Sequence, residues 1–529
     1  MINCFCFVLI SVLKTALSAD DYYVAAVVEM PSTFVNVMKG EKRGPPIQEY
    51  IKLINSIDTE LDIIVFPEAI LDDGGPTPVP APSTDYLLCN STSSKYKDYL
   101  KELSCAALNK KVTVVVNVLE LVNCKNPPPD EHCTRHNEKL QSVVHNTDVV
   151  FDQNGQVVAR YRKWNLAGED TLSILRSPEV VTFETKNGDT FGIFTCFDIL
   201  FGTPALNLSK NLHVKSIVYP TYWFSDLPYL TALSTQQMWA QENNVTLLSA
   251  GGNSYNTGTG GSGIFLGEKG ALVQMIIPSS GNAKMLLQKV PRSPSSDGVI
   301  VNNIDPDEVI DSLAAEMDDF KLNIDPTVYE HTSVPLNLNK TTVIEEICHG
   351  ESACCKFTIN FTVNSELMNL GKNTYTYHIA VFNGVRKFPG VRDVGVESCG
   401  IIACLNYSST SCGQRFPKYS NVTWPITFNS IKVVGSFTNV VHKIQYPSSV
   451  LSSLRAISPL KTSWKKEVKV NMVERTHALV KPQSRILTFG IFGRDFSKDD
   501  APHSYSSADL ARFAGILLAI AMASFVKTF

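Results

Sequence analysis

A cysteine, a glutamate and a lysine, each placed at the end of a strand-like stretch, are the residues of this chain best suited to chemistry. Cys196 follows Phe191-Gly192-Ile193-Phe194-Thr195, Glu68 follows Ile64-Val65-Phe66-Pro67, and Lys163 follows Arg160-Tyr161-Arg162. A residue at a strand end is exposed enough to react and held firmly enough to aim. A thiol is a weak nucleophile until it loses its proton. A neighbouring carboxylate can take that proton, and a neighbouring ammonium favours both the thiolate and an oxyanion. The combination implies cleavage of an amide through a thioester, with the Phe197 N–H as a second oxyanion donor beside Lys163. Singly, each residue has a plainer reading: a buried small hydrophobe for the cysteine, a solvated loop acid for Glu68, a surface cation for Lys163. Glu169, six positions after Lys163, either orients Lys163 or the substrate or is a solvated acid beside Asp170. Trp223 reads either as a pocket wall or, preferably, as a packing residue near the site.

The elements that would position these residues alternate. Strand patterns at Tyr22–Val28, Leu61–Phe66 and Val112–Val118 are separated by helical periodicity over Ile47–Ile57 and Tyr96–Leu108. Val143–Phe151 and Gln156–Arg162 read as a hairpin turning at Asp152-Gln153-Asn154-Gly155. Further strands at Phe191–Thr195, Ser216–Tyr219 and Val245–Ser249 flank a helix over Tyr229–Asn243. Such alternation predicts an α/β core with sheets covered by helices. Gly258-Thr259-Gly260-Gly261-Ser262-Gly263 satisfies a dinucleotide-binding spacing, but a hairpin pattern, not a helix, follows it. It reads instead as a glycine-rich loop near the pocket.

These segments resemble the nitrilase superfamily and, within it, the vanin/biotinidase branch. The resemblance is carried by Phe66-Pro67-Glu68, by Tyr161–Leu166 and by Thr195–Phe201, with support from Asn146–Asp152, Tyr219–Trp223 and Gly261–Phe265. It implies two face-to-face sheets with helices outside, an αββα sandwich, followed by a β-rich accessory domain. It implies Glu68 as proton acceptor, Lys163 as proton donor and oxyanion partner, Cys196 as nucleophile, and a linear amide as substrate. Pantetheine, cleaved to pantothenate and cysteamine, is favoured by the anchor-like tail. Biotinyl amides such as biocytin are the alternative. A reading of a different class is an ectodomain without activity, serving adhesion or signalling; the intact Glu68, Lys163 and Cys196 count against it. No cofactor and no metal is expected, and a serine hydrolase is disfavoured because no G-x-S-x-G occurs.

The ends and the cysteines place the chain in the secretory route. An apolar run over Cys4–Leu13, followed by small residues to Ala19, reads as a signal peptide over residues 1–19. Of 13 cysteines, setting aside Cys4, Cys6 and Cys196 leaves an even set able to form disulfides. The insert Cys124–Cys133 reads as a rigid loop closed by one of these. Sequons at Asn90, Asn207, Asn244, Asn339, Asn360, Asn406 and Asn421 suit glycosylation. The apolar terminus over 513–526, after Ser504, Ser506 and Ser507, reads as a signal for a GPI lipid at one of those serines. The extracellular face of the plasma membrane is the expected location, with secretion as the alternative. A net charge of −4 gives no electrostatic case for nucleic acid.

With 529 residues, the chain exceeds one ordinary core. A catalytic unit is expected over 20–310. A β-rich unit over 330–495 holds Cys348, Cys354, Cys355, Cys399, Cys404 and Cys412, whose clustering means disulfides rather than metal in a secreted chain. A stalk is expected over 497–508 and a removed tail over 509–529.

Overall fold

The structure is a computed structural model that describes residues 21–32, 46–71, 75–83, 86–124, 134–135, 138–139, 141–169, 171–296, 301, 304–350, 353–388 and 391–500. The expected signal peptide, residues 125–133 of the Cys124–Cys133 loop and the serines proposed for lipid attachment lie outside these residues. Cys124 itself is disulfide-bonded.

Twelve strands build the first domain: β1 (Tyr22–Pro31), β2 (Ile63–Val65), β3 (Thr113–Asn123), β4 (Ser142–Phe151), β5 (Val157–Arg162), β6 (Val181–Glu184), β7 (Thr190–Ile193), β8 (Ser216–Thr221), β9 (Thr246–Asn253), β10 (Ser262–Leu266), β11 (Ala271–Met275) and β12 (Lys284–Pro291). One sheet runs β5-β4-β3-β2-β1-β12 and the other β6-β7-β8-β9-β10-β11. They meet where Met30 and Pro31 pair with Gly252 and Asn253. The period-two alternation of a strand divides each sheet face. Ala25, Val27, Ile63 and Val65 pack into the core between the sheets, together with Ile193 and Ile217. Ala26, Val28 and Ile64 point outward, where they cover α1 (Pro46–Asn55) and α2 (Asp98–Lys110) through Tyr50, Ile54, Leu100 and Leu103. Helix α3 (Ala232–Asn243) packs on the second sheet. The fold is the expected αββα sandwich.

The expected helix over Tyr229–Asn243 begins only at Ala232. Asp226 and Leu230 exchange backbone hydrogen bonds in a tight turn that uses up the preceding residues. Strands β6 and β12 had no counterpart in the sequence reading. In β12 the exposed Lys284 and Lys289 interrupt the apolar pattern, because this strand pairs only with β1 and lies at the sheet edge.

The second domain is a β-sandwich of two five-stranded antiparallel sheets. One contains β13 (Thr332–Pro335), β16 (Thr376–Phe388), β17 (Arg392–Cys404), β19 (Lys443–Leu451) and β22 (Ile486–Asp495), in the order β13-β16-β17-β22-β19. The other contains β14 (Thr342–His349), β15 (Ala353–Val363), β18 (Ile426–Thr438), β20 (Thr462–Val468) and β21 (Met472–Leu479), in the order β14-β15-β18-β21-β20. Cys355–Cys399 joins the two sheets, Cys348–Cys354 closes a hairpin, and Cys404–Cys412 closes a loop. Helix α4 (Asp307–Glu316) packs on this domain through Ile310 and through the Arg485 ion pairs with Asp307 and Asp311.

The start of the expected stalk is part of this domain. Asp499 accepts from Arg494 at 2.7 Å and from the Gly395 N–H at 2.9 Å, and the Asp500 N–H donates to the Asp393 carbonyl. These bonds, those to the Asp499 carboxylate being charge-assisted and part-buried, hold residues 499–500 against β17 and β22. No helix among the described residues is long and apolar enough to cross a membrane.

Candidate active site

Glu68 and Lys163 leave the first sheet from β2 and β5, and Cys196 leaves the second from β7, so the site lies where the two sheets end together. The chain turns sharply after Glu68, with Ala69 at φ 56°, and the Ala69 N–H is held by Asn117 Oδ1 at 3.1 Å. Glu68 is only 2% exposed. Its Oε1 accepts from Lys163 Nζ and from Asn146 Nδ2, both at 2.7 Å. Its Oε2 accepts from the Tyr222 N–H at 2.9 Å. Each carboxylate oxygen has two acceptor sites, so Oε2 keeps capacity for one more donor.

Lys163 is buried, and its ammonium also meets Glu169 Oε1 at 2.5 Å. Burial alone would pull the lysine pKa down, but Glu169 and Glu68 outweigh it and hold the group charged, well above the ordinary lysine range. Burial likewise works against the Glu169 carboxylate, yet Lys163 overrides it and lowers the pKa below the usual range. Asn146 Nδ2 at 3.0 Å and the Ala167 N–H complete the Glu169 cradle. Of its two sequence readings, this geometry fits the residue that orients Lys163.

Cys196 is the free cysteine among the described residues. It sits at φ 45°, a left-handed conformation that costs a non-glycine residue about 1–3 kcal/mol. Its surroundings over-determine that shape. Thr195 and Asp198 form a reciprocal cap, and Tyr219 donates its hydroxyl to the Cys196 carbonyl at 2.9 Å. Asp198 also receives the Tyr161 hydroxyl at 2.6 Å and the Asn165 side chain at 2.7 Å. Burial pushes the thiol pKa up and the Glu68 charge pushes it further, while Lys163 pulls it back. The net upward shift favours the thiol over the thiolate, so a base must take the proton for the sulfur to become a strong nucleophile.

A buried polar chain connects the two halves of the site. Asn117 Nδ2 reaches Asn146 Oδ1 at 2.6 Å and Asp148 Oδ1 at 2.8 Å, and Thr195 donates to Asp148 Oδ2 at 2.5 Å. Burial raises the Asp148 pKa to about 8 against the pull of Thr195 and Asn117. Asn146 and Asp148 lie in a segment that supported the family resemblance, but neither they nor Asn117 were singled out as site residues. The available signal was an amide or acid at an inward position of an otherwise apolar strand, repeated across the β3–β4 pair at Asn117 and Asp148.

Glu68, Lys163, Glu169 and Cys196 line one cavity of about 560 Å³. Its other walls include Phe197, Trp223 and Phe224, with Phe388 and Val391 supplied by the second domain. Trp223 both lines the cavity and packs, its indole N–H donating to the Leu230 carbonyl at 2.9 Å. The Phe197 ring stands edge-on to Phe201 and Phe388. The glycine-rich loop lies behind the wall rather than in it, with the Gly258 carbonyl accepting from the Ser225 N–H. His378, Cys404 and Cys412 come close enough together to suggest a metal site, but the two sulfurs are joined to each other.

Two sheets close on a buried acid, lysine and thiol, and this part of the chain is similar to carbon–nitrogen hydrolases. The carbon-nitrogen hydrolase family model matches residues 24–263, and the vanin C-terminal domain model matches residues 320–499. Vanin-like protein 3 of Drosophila melanogaster is 31% identical over 486 residues, covering 90% of this chain and 90% of that protein. Vanin-like protein 1 of the same organism is 32% identical over 500 residues, covering 92% and 88%. The chain belongs to the vanin family. Human pantetheinase is 29% identical over 450 residues, covering 85% of this chain and 80% of its own length. Among solved structures, an amidase from Nesterenkonia sp. is 15% identical with a TM-score of 0.36, covering 53% of this chain and 94% of that one, a likeness too distant to add weight.

Proposed function

We propose that this protein hydrolyses the amide of pantetheine to pantothenate and cysteamine through a Cys196 thioester. The observation that carries this reading is the Lys163 ammonium held against Glu68 at 2.7 Å in the cavity that contains the Cys196 thiol. Similarity to pantetheinases favours the substrate.

In the first half-reaction Cys196 Sγ attacks the amide carbonyl as its proton passes to Glu68. Lys163 and the Phe197 N–H receive the oxyanion. The carbon–nitrogen bond then breaks as Glu68 returns the proton to the leaving amine. In the second, Glu68 takes a proton from water, hydroxide adds to the thioester, and the carboxylic acid leaves as the thiol is restored. A charged Lys163 between two carboxylates suits the oxyanion step, because its charge is already in place before the negative charge develops.

The test is amine release by the purified full chain from pantetheine and, in parallel, from biocytin, with Cys196→Ala as control. Cysteamine release by the wild type and none by the variant is the expected result. Lysine release from biocytin alone would transfer the protein to the biotinyl side. No release from either substrate, with an alkylatable Cys196, would overturn the pantetheine reading and leave another amide substrate or the inactive ectodomain.

We infer further that the chain is a GPI-linked glycoprotein. Asn90, Asn339, Asn406 and Asn421 are exposed, as glycan acceptors must be. Asn207, Asn244 and Asn360 are half-buried, with their amides bonded to Thr203, Ser295 and Thr342 respectively. The first four are therefore the favoured acceptors. A phosphatidylinositol-specific phospholipase should release the protein from expressing cells, and retention on the membrane would remove the lipid reading.

A further inference from the structure

The cavity has one charged group that the chemistry above does not use. Asp226 lines it on a segment after β8, next to Phe224. Its carboxylate is mostly buried, with 14% of the side chain exposed, and stands among apolar walls. Burying a carboxylate is costly unless it is paired, and this one is paired from the other domain. Arg386 of β16 reaches Asp226 Oδ2 at 2.5 Å, while its other terminal nitrogen lies 2.9 Å from Asp325 Oδ2. Asp325 is itself fixed through Oδ1 by Thr327. The Arg386 guanidinium also lies 4.0 Å over the Phe388 ring. The residues after Arg386 turn back at Phe388 and Val391, and both line the same cavity. Arg386 thus holds Oδ2 of Asp226, and the Asn323 side chain, also in the cavity wall, bonds the same carboxylate. With two acceptor sites on each oxygen, the carboxylate keeps capacity for one more donor beside an aromatic and branched wall.

We propose that the acyl-binding part of the cavity is built jointly by the two domains. Asp226, positioned by Arg386, accepts a hydroxyl of the substrate's acyl chain, and Phe388 and Val391 enclose its branched hydrocarbon. This rests on the pantetheine reading above and deepens it. The hydroxyls of pantetheine lie on the fragment that becomes pantothenate, next to a quaternary carbon bearing two methyl groups. The fragment that leaves carries only an amine and a thiol. A fixed carboxylate oxygen beside an apolar wall complements the first fragment and not the second. In this scheme Arg386 is a positioning residue and does not touch substrate.

The test compares kcat/KM of the full chain for pantetheine and for the amide of equal length in which both hydroxyls are replaced by hydrogen. Each substrate releases cysteamine. The wild type should favour the hydroxylated amide by about 10- to 100-fold, the usual worth of a hydrogen bond to a charged group. In Asp226→Asn the remaining oxygen stays on Arg386 and a donor NH2 faces the cavity. The preference should then fall to within about threefold, with the loss confined to pantetheine and expressed mainly in KM. Phe388→Ala should raise KM for both amides about tenfold with little change in kcat. Equal wild-type rates on the two amides would overturn the proposal while leaving the amidase reading intact. An Asp226→Asn loss equal on both substrates would also overturn it, since that is the mark of a residue that only docks the domains. Cleavage of neither amide would remove the pantetheine reading and this proposal with it.

Discussion

The two domains put their buried charged groups to different uses, the first gathering them at one site and the second placing them in strand and domain contacts such as Arg494–Asp499 and Arg386–Asp325. In the αββα domain, Glu68, Lys163, Glu169, Asp148 and Asp198 are gathered into one region at the ends of strands, linked through Asn117, Asn146 and Thr195. Removing ionised groups from water costs several kcal/mol per ion, and their attraction repays it only when geometry is good. In the sandwich, three of the four disulfides among the described residues close hairpins, loops and sheets around an apolar interior of Phe357, Ile359, Ile401, Val433 and Phe489. The difference teaches that the first domain carries costly electrostatics for the sake of chemistry. The second is a covalently reinforced support whose hairpin reaches into that chemistry.

Four experiments sharpen or break this contrast. The largest effect belongs to Cys196→Ala, which should reduce amide turnover to background while leaving the thermal midpoint near wild type. Substantial residual turnover would remove the thiol from the mechanism. Lys163→Ala should lower kcat by about 10²–10³-fold, the cost of losing an oxyanion donor. It should also destabilise the protein by about 3–5 kcal/mol, because Glu68 and Glu169 are left as buried carboxylates without their cation. A stability loss without a kcat loss would make the lysine a strut only. Breaking Cys355–Cys399 by a double serine substitution should cost about 2–5 kcal/mol, read from denaturant unfolding. If reducing this link left the sandwich as stable as before, the picture of a stapled support would fail.

The smallest effect concerns Glu29, a fully buried acid paired with amides rather than with a cation. Its carboxylate accepts from Asn253 at 2.8 Å and from the Ile277 and Gly261 N–H groups at 2.7 and 3.1 Å. Burial nevertheless raises its pKa from 4.5 to about 7. A raised folded-state pKa means that the native state binds more protons, so the stabilisation is full below pH 4.5 and is lost as pH rises through 7. The contribution is at most about 3 kcal/mol. Glu29→Gln should flatten the dependence of the thermal midpoint on pH across that interval, and an unchanged slope would assign the dependence to other groups.

The residues proposed to react were legible because each stands at the end of a predicted strand, a pattern that survives without knowing which strands pair. The β4–β5 hairpin was legible because Asp152–Gly155 can make only a tight turn between two apolar runs. The polar chain behind the site was harder to read. Asn117 and Asp148 become partners only when β3 pairs antiparallel with β4, a register set by tertiary packing. Asp226, Phe388 and Val391 were invisible for a stronger reason. They belong to segments more than 150 residues apart, and no local periodicity reports a cavity assembled from two domains. The stalk was placed too early because Ser497–Asp500 is polar in composition, yet its acids answer buried arginines of the sandwich.

Phe201 closes the turn that carries the nucleophile, and its ring lies 4.2 Å from the Arg392 guanidinium and 5.1 Å from that of Arg494. Arg494 also donates to the Leu200 carbonyl at 2.9 Å, and Arg392 donates to Asn165 Oδ1 at 2.8 Å. Domains emerge from the ribosome in order and fold as units. The αββα domain is therefore synthesised long before the two arginines that brace its reactive turn. A chain stopped short of residue 494 carries the Cys196 thiol without the Arg494 contact to Leu200 and Phe201, so the full support of that turn exists only once the sandwich is present.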